Sequence, residues 1–204
     1  MQTIIAFLGI ILLLFFVYNM IYTYSEIQYV KSDIDDKIYM IRRGNNKSQQ
    51  FLKESANTLA IINKNIVALI EHLDMNYNHH TNKSYFIKKL KDNYKPYIMS
   101  EAAVDPRYTT YTIDKKDMHI CLRTRDNHEQ IYDLNLLMYV ILHELAHLCN
   151  YDQYGNPILG HGKEFKYIFR FLVEESMKIN IYTHTNYAMA PKEYCGIMIT
   201  SSII

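Results

Sequence analysis

The chain has 204 residues, 49% of them hydrophobic, and its 22 basic and 21 acidic side chains leave a formal net charge of +1. A charge balance this close to neutral argues against a nucleic-acid-binding protein that relies on bulk charge, because phosphate contacts need clustered lysine and arginine. The length predicts one domain plus an appendage, since about 150 residues can fold around one core without covalent cross-links.

The first predicted element is an apolar segment at the N-terminus. Residues 3–22 read TIIAFLGIILLLFFVYNMIY, and no charged side chain occurs between Met1 and Glu26. About 20 apolar residues in a helix match the roughly 30 Å hydrocarbon layer of a bilayer. A cleaved signal peptide would have a basic start and a small-residue cleavage site, and the segment shows neither. The sequence therefore predicts a transmembrane anchor over residues 1–24, with residues 3–22 in contact with lipid.

The side of the membrane follows from the charges around this segment. Basic side chains occur after the segment and not before it, at Lys31, Lys37, Arg42 and Arg43. The positive-inside tendency therefore places a single-pass protein's main domain on the cytoplasmic side. Two Asn-x-Ser sequons would be usable only on the lumenal or exterior side, which stays open as the alternative. Residues 25–49 are predicted to be a juxtamembrane stalk or linker, and residues 50–204 a folded domain.

The rest of the chain alternates helical and strand patterns. Apolar residues at helical spacing predict a core-packing helix over 50–74. Two β-prone runs, 109–113 and 118–123, flank a short polar connector and predict a β-hairpin or two neighbouring strands. A strongly apolar helix is expected over 134–149, and a second helix over 163–179, with a loop rich in Gly, Asn and Pro between them. These elements predict an α+β domain.

The cysteines do not form an obvious framework. Cys121, Cys149 and Cys195 are too few and too scattered for a disulfide-rich fold. Buried free thiols are expected, and a single Cys121–Cys195 bridge is the alternative.

The helix predicted over 134–149 carries the sequence HELAH, which contains His143, Glu144 and His147. Imidazoles at positions i and i+4 lie one turn apart on the same helix face. Both can therefore reach one zinc ion at the usual distance of about 2.0–2.1 Å. Glu144 points to the side of this pair, where a carboxylate can act as the general base of a metallopeptidase.

A catalytic zinc site needs a third protein ligand and one open position. His161 is the favoured third ligand, because Gly160 and Gly162 border it and let the loop return against the helix. Glu164, on the following helix, is the alternative.

The segment VILHELAHLCNYDQYGNPILGHGKEF, residues 140–165, resembles the SprT-like and WLM metallopeptidases. Their active-site helix carries HELxH, and a His-Gly-x-x-Phe element follows it. The matching residues are His143, Glu144, Leu145, His147, His161, Gly162 and Phe165. The resemblance covers the chain from about Phe51 to the C-terminus, and it implies a compact zincin-like domain with a cleft over the metal. The closing residues also resemble putative metallopeptidases encoded by large DNA viruses.

These features together predict a membrane-anchored zinc metallopeptidase that hydrolyses peptide bonds, with Zn2+ as cofactor and Glu144 as general base. Tyr187 and Tyr194 follow the last predicted helix and are candidate oxyanion donors. The predicted partner is a protein or peptide substrate, with no nucleic acid. One alternative is a non-enzymatic membrane protein with a structural zinc site, although such a site has no use for Glu144. The other, implied by the resemblance, is a protease acting on DNA-bound proteins.

Overall fold

The computed structural model describes residues 2–44, 48–77, 81–96, 98–103, 109–115 and 117–204. This part of the chain is an α+β fold of five helices and three small sheets. The helices are α1 (Gln2–Glu26), α2 (Gln49–Tyr77), α3 (Thr81–Asn93), α4 (Leu134–Cys149) and α5 (Lys163–Lys178). The strands are β1 (Ile27–Lys31), β2 (Ile38–Arg42), β3 (Met99–Glu101), β4 (Tyr111–Ile113), β5 (Asp117–Ile120), β6 (Lys192–Tyr194) and β7 (Ile197–Ile199).

Helices α2 to α5 enclose the core. The stripe predicted from the sequence is the buried face of α2, where Leu52, Leu59, Ile66 and Leu73 repeat every seven residues and are almost fully buried. Helix α4 is buried over most of its surface, as its continuous apolar sequence predicts. The predicted helices over 50–74, 134–149 and 163–179 are confirmed within three residues at each end.

The central sheet has the strand order β3-β5-β4. Strands β4 and β5 pair antiparallel, with Ile113 opposite Asp117, so the predicted hairpin is confirmed. Strand β3 joins the other side of β5 in parallel orientation. Because β4 is at the edge of this sheet, its side chains are free to contact α4, which lies beside it.

The predicted stalk of residues 25–49 contains a folded hairpin over residues 27–42. Strands β1 and β2 form an antiparallel hairpin across these residues, and Tyr39 and Ile41 are buried in the common core. The Tyr39 hydroxyl also accepts a hydrogen bond from the amide of Asn63 on α2, at 3.3 Å. The expectation of a linker is wrong because the alternate side chains of β2 pack against α2, a long-range contact that the local sequence does not reveal.

A buried charge network fastens this hairpin to the central sheet. Arg123 donates to Glu101 from Nε at 2.5 Å and from Nη2 at 2.9 Å. Arg42 on β2 donates from its backbone to Glu101 at 2.9 Å and from Nη1 to Glu129 at 2.7 Å. The Arg123 guanidinium also donates to the Arg42 carbonyl. Two cations and two anions are thus buried together, each with a partner of opposite charge.

The apolar N-terminal segment is helical, as α1. In the part of the chain that the structure describes, however, no helix is both long enough and apolar enough to cross a bilayer. The predicted transmembrane anchor over 1–24 and the single-pass membrane localisation, on either side, are therefore wrong. The predicted contact of residues 3–22 with lipid was part of the same expectation and is withdrawn with it.

The expectation of free thiols is wrong for two of the three cysteines. Cys121 and Cys195 form a disulfide, with Cα atoms 6.4 Å apart and 74 residues of separation. Cys149 is free and buried. The bridge attaches the C-terminal hairpin of β6 and β7 to the chain just after β5. Because Cys195 follows β6 at the turn, only the tertiary fold brings it to Cys121.

Candidate metal centre

Helix α4 is held in place at both ends. At the start, the Asp133 carboxylate accepts hydrogen bonds from the backbone N–H groups of Asn135 and Leu136, at 3.0 and 3.2 Å. At the end, the Lys115 ammonium donates to the carbonyls of His147 and Asn150, at 2.6 and 2.8 Å. A cation at this position pairs with carbonyls that have no partner within the helix. The last turns of α4, which carry HELAH, are therefore fixed.

The three predicted histidines meet at one point. The Nε2 atoms of His143 and His147 are 3.2 Å apart, and the Nε2 atom of His161 is 3.0 Å from each of them. Their ligand atoms form a group that could hold a metal ion. A point about 2.0–2.1 Å from all three nitrogens, the usual zinc–imidazole distance, lies just outside the plane of this triangle. The geometry therefore fits a metal held by three imidazoles.

The three nitrogens cannot satisfy one another by hydrogen bonding. In a neutral imidazole each nitrogen is either an N–H donor or a lone-pair acceptor. Among three nitrogens in mutual contact, at least one pair must be two donors or two acceptors, which repel. A cation in contact with three lone pairs removes this conflict, so the cluster fits a metal better than it fits a hydrogen-bonded structure.

The environment keeps two of these imidazoles neutral, which is the form that binds metal. Burial lowers the pKa of His143 to about 3, and the neighbouring His147 and His161 add to the effect. Burial likewise lowers the pKa of His147 to about 4, with contributions from His161 and Lys115. The buried ring of Phe165 lies against all three imidazoles, with its centroid 4.3 Å from that of His147. This phenylalanine is the last residue of the HGxxF element.

A tight loop brings His161 to α4. The N–H of Ile158 donates to the carbonyl of Asn150 at 3.0 Å, so the chain folds back directly after the helix. Gly160 has φ +77°, a left-handed conformation that glycine adopts without strain. Gly162 is the N-terminal cap residue of α5. His161 is thus confined between a turn and the start of a helix, as the flanking glycines predict.

Glu144 is separate from the imidazole cluster. The residue is 8% exposed, and its carboxylate accepts a hydrogen bond from the Thr112 hydroxyl on β4, at 3.0 Å. Burial raises the pKa of Glu144 to about 7, and the Thr112 hydrogen bond acts in the opposite direction. A carboxyl group with a pKa near neutrality can both accept and release a proton at physiological pH.

A cavity of about 330 Å³ opens beside the cluster. His143, Glu144 and His161 lie in its wall, together with residues of α4, α5 and the C-terminal segment. A molecule bound there would contact both the candidate metal position and the Glu144 carboxylate. The arrangement therefore combines a three-nitrogen metal site, a separate carboxylate and room for a ligand.

The other sequence-predicted residues have different surroundings. Tyr194 lines the cavity, but its hydroxyl contacts Thr110 and donates to the Cys121 carbonyl at 2.9 Å. Tyr187 is buried against the ring of Tyr139, 4.9 Å between centroids, in the packed core behind the cavity wall. Glu164 is exposed on the first turn of α5, and among the described residues the metal-binding group consists of the three histidines. The structure therefore favours His161 over Glu164 as third ligand and gives neither tyrosine a free hydroxyl at the cluster.

Sequence reasoning missed Thr112 and Lys115. Both lie in the hairpin that it predicted, but nothing local shows that this hairpin packs against α4. Lys115 belongs to the polar connector DKKD, a composition typical of exposed turns. Recognising these two residues requires the knowledge that β4 is the edge strand next to α4.

An α+β fold with an HExxH helix and a third histidine from a glycine-bordered loop defines the class of this protein: a candidate three-histidine metalloprotein. The chain is 39% identical over 198 residues to the uncharacterized protein R325 of Acanthamoeba polyphaga mimivirus. The matched region covers 97% of this chain and 93% of that protein. The chain therefore belongs to the same family as that protein.

Two further relatives are shorter matches. The uncharacterized protein 136R of Invertebrate iridescent virus 6 is 33% identical over 100 residues, covering 48% of this chain and 51% of that protein. The uncharacterized protein 042R of Invertebrate iridescent virus 3 is 35% identical over 89 residues, covering 43% and 50%. No protein-family model and no solved structure matches the chain. The relatives confirm the expectation of a viral protein, whereas the expected kinship to SprT-like and WLM metallopeptidases stays a prediction.

Proposed function

We propose that this protein is a zinc-dependent metallopeptidase. His143, His147 and His161 hold the metal, and Glu144 serves as the general base. The observation that carries the proposal is the convergence of three imidazole nitrogens within 3.2 Å of one another, with a separate buried carboxylate beside them. The resemblance of residues 140–165 to SprT-like and WLM metallopeptidases supports the same reaction.

The chemistry divides between the metal and the chain. The three imidazoles would hold zinc, which would supply a water ligand with a pKa of about 7 and would polarise a carbonyl group. Glu144 accepts the proton of the attacking water and passes it to the leaving amine. Its pKa of about 7 suits both transfers. The Thr112 hydroxyl holds one carboxylate oxygen, so the other is left to face the cavity.

Two features favour an enzyme over a structural zinc site. Structural sites are closed by four protein ligands, whereas the group in the described part of the chain has three. The cluster also borders a cavity, and the buried Glu144 carboxylate, which forms no ion pair within the described part of the chain, lies in the same wall. Burying an unpaired carboxylate lowers the stability of the fold, and a structural zinc site has no need for such a carboxylate.

The decisive variant is Glu144→Gln. We expect it to bind zinc with wild-type stoichiometry and to lose at least a thousandfold in peptide hydrolysis, because the amide cannot accept a proton. Zinc is measured by atomic absorption after dialysis, and hydrolysis by mass spectrometry of unfolded casein and a mixed peptide library.

The matched control is Glu164→Gln, a change of the same kind at an exposed carboxylate three residues after His161. It should leave zinc content and hydrolysis unchanged. Glu144→Gln cleaving at the wild-type rate would overturn the general-base role. A wild-type protein that is stabilised by zinc and cleaves nothing in the library would point to the structural site instead.

A further inference from the structure

The cavity beside the histidine cluster has apolar walls. Its lining combines His143, Glu144 and His161 with a group of large apolar side chains. These are Tyr139, Val140, Phe169, Ile197, Ile199 and Ile203. A volume of about 330 Å³ is at the small end of ligand pockets. It accommodates one bulky side chain with its flanking backbone rather than several residues of a substrate.

One wall of this cavity is the C-terminal segment, residues 197–204, which includes β7. Four hydrogen bonds hold it. The Tyr139 hydroxyl donates to the Ser201 carbonyl at 3.3 Å and accepts from the Ile203 N–H at 3.0 Å, and the Ser202 hydroxyl accepts from the Tyr187 N–H at 3.1 Å. The Ser202 hydroxyl donates to the Thr185 carbonyl at 2.6 Å. The Cys121–Cys195 disulfide anchors the preceding hairpin. The wall is thus fixed in place beside the cluster, although it comes from the far end of the chain.

We propose that this cavity binds a bulky apolar side chain of the peptide substrate next to the scissile bond, and that the C-terminal segment determines how large that side chain can be. The proposal rests on the proposed function. The cavity's position next to His143 and Glu144 places its occupant directly beside the reacting group. The ammonium of Lys166 at the exposed rim disfavours basic side chains by like charge.

Amino-acid hydroxamates test the pocket without requiring turnover, because the hydroxamate chelates zinc while the side chain reports on the cavity. The probes are glycine, leucine and phenylalanine hydroxamate, titrated by calorimetry into the zinc-loaded full chain. We expect leucine or phenylalanine hydroxamate to bind about tenfold or more tightly than glycine hydroxamate, since each buries a side chain that glycine lacks. Equal affinities would overturn the pocket while leaving the metal site intact. If none of the three binds, both proposals fail, because the metal position would not be accessible.

Ile199→Trp tests the wall, with the adjacent Met198→Trp as matched control. Ile199 lines the cavity, whereas Met198 is exposed on the same strand and lies outside the lining. A tryptophan at position 199 should fill the pocket, so it should weaken the binding of leucine hydroxamate about tenfold and leave the affinity for glycine hydroxamate unchanged. The control should alter neither.

A second variant, Ile203→Trp, approaches the cavity from another point of the same segment and should have the same selective effect. Thermal unfolding identifies a variant that has lost its fold. In that case the binding data of the other variant test the role of the C-terminal segment. If both variants fold and bind leucine hydroxamate as tightly as wild type does, the C-terminal segment does not limit the pocket.

Discussion

Two clusters of polar side chains lie in this fold, and they differ in how their members pair with one another. In the network of Arg42, Glu101, Arg123 and Glu129, cations and anions alternate, and every charge faces an opposite one at 2.5–3.8 Å. In the histidine cluster three identical nitrogens face one another at 3.0–3.2 Å. The first cluster therefore pairs each charge within the chain, although Arg123 Nη1 makes no hydrogen bond among the described residues, whereas the second brings like atoms together.

The two clusters are therefore expected to have different roles, one in stability and the other in the proposed function. A network of paired charges orients the elements that it joins, here the β1–β2 hairpin and the central sheet. Three imidazole nitrogens that repel one another lower the stability of the fold unless a cation binds between them. Under the proposed function, the neutral imidazoles, the separate carboxylate and the adjacent cavity give the histidine cluster a use that the charge network lacks. Variants at the two clusters should therefore affect different properties.

The largest effect on stability is expected from breaking the charge network. Glu101→Ala leaves the buried Arg123 guanidinium without its bidentate partner and should lower the free energy of unfolding by about 3–5 kcal/mol. Urea unfolding measures this loss, and zinc stoichiometry of the folded fraction should stay unchanged. The control is Glu174→Ala, which breaks an exposed pair with Arg170 and should cost less than about 1 kcal/mol. Equal losses in the two variants would contradict the structural role of the network.

Removing one of the three histidines should have a smaller effect on the free energy of unfolding, and only when zinc is present. At a free zinc concentration 100 times the dissociation constant, wild type should gain about 2.7 kcal/mol of stability. His147→Ala should gain almost none of this, because two imidazoles hold zinc poorly. His184→Ala, an exposed histidine far along the chain, should keep the full gain. Chemical denaturation with and without zinc measures both, and a full gain in His147→Ala would contradict the three-histidine site.

The histidine cluster should also make the metal-free protein sensitive to acid. The pKa values of His143 and His147 are lowered from 6.5 to about 3 and about 4 in the folded state. The unfolded chain therefore binds more protons than the folded chain below about pH 6.5, so stability should fall as the pH drops from there toward about 3. Unfolding midpoints across this range measure the slope. The double variant His143→Ala/His147→Ala should show a shallower slope, and an unchanged slope would contradict the assignment.

The smallest effect is expected at the contact between β4 and Glu144. Thr112→Val keeps the shape of the side chain but removes the hydrogen bond to the carboxylate, worth about 0.5–1.5 kcal/mol. At about 1.4 kcal/mol per factor of ten, kcat should fall up to about tenfold, with KM and zinc content unchanged. Thr112→Ser retains the hydroxyl and should retain the rate. A drop in both variants would show that packing at this position, and not the hydrogen bond, affects catalysis.

Much of this fold and site follows from local sequence. The period of apolar residues in α2, the continuous apolar run of α4 and the polar connector between β4 and β5 predict those elements, because each depends on neighbours within a few residues. The i, i+4 spacing of His143 and His147 predicts a shared face for the same reason. Gly160 and Gly162 indicate that the chain can turn back at His161.

The failures concern contacts between distant parts of the chain. Residues 25–49 read as a linker because no local pattern shows that Ile41 packs under α2. Residues 1–24 read as a membrane anchor on composition and length, which the described helix does not support. The partner of Cys121 lies 74 residues away, and Tyr187 and Tyr194 are placed by packing of the C-terminal segment. In each case the deciding contact is long-range.

By itself the sequence determined which side chains could bind a metal and which carboxylate could accept a proton, because helical spacing and a glycine-bordered loop are local geometry. Only the tertiary structure decided that Thr112 holds Glu144, that Lys115 fixes the end of α4 and that the C-terminal segment walls the cavity. Those contacts join residues tens of positions apart, and they form only when burial of the common core brings the separate elements together.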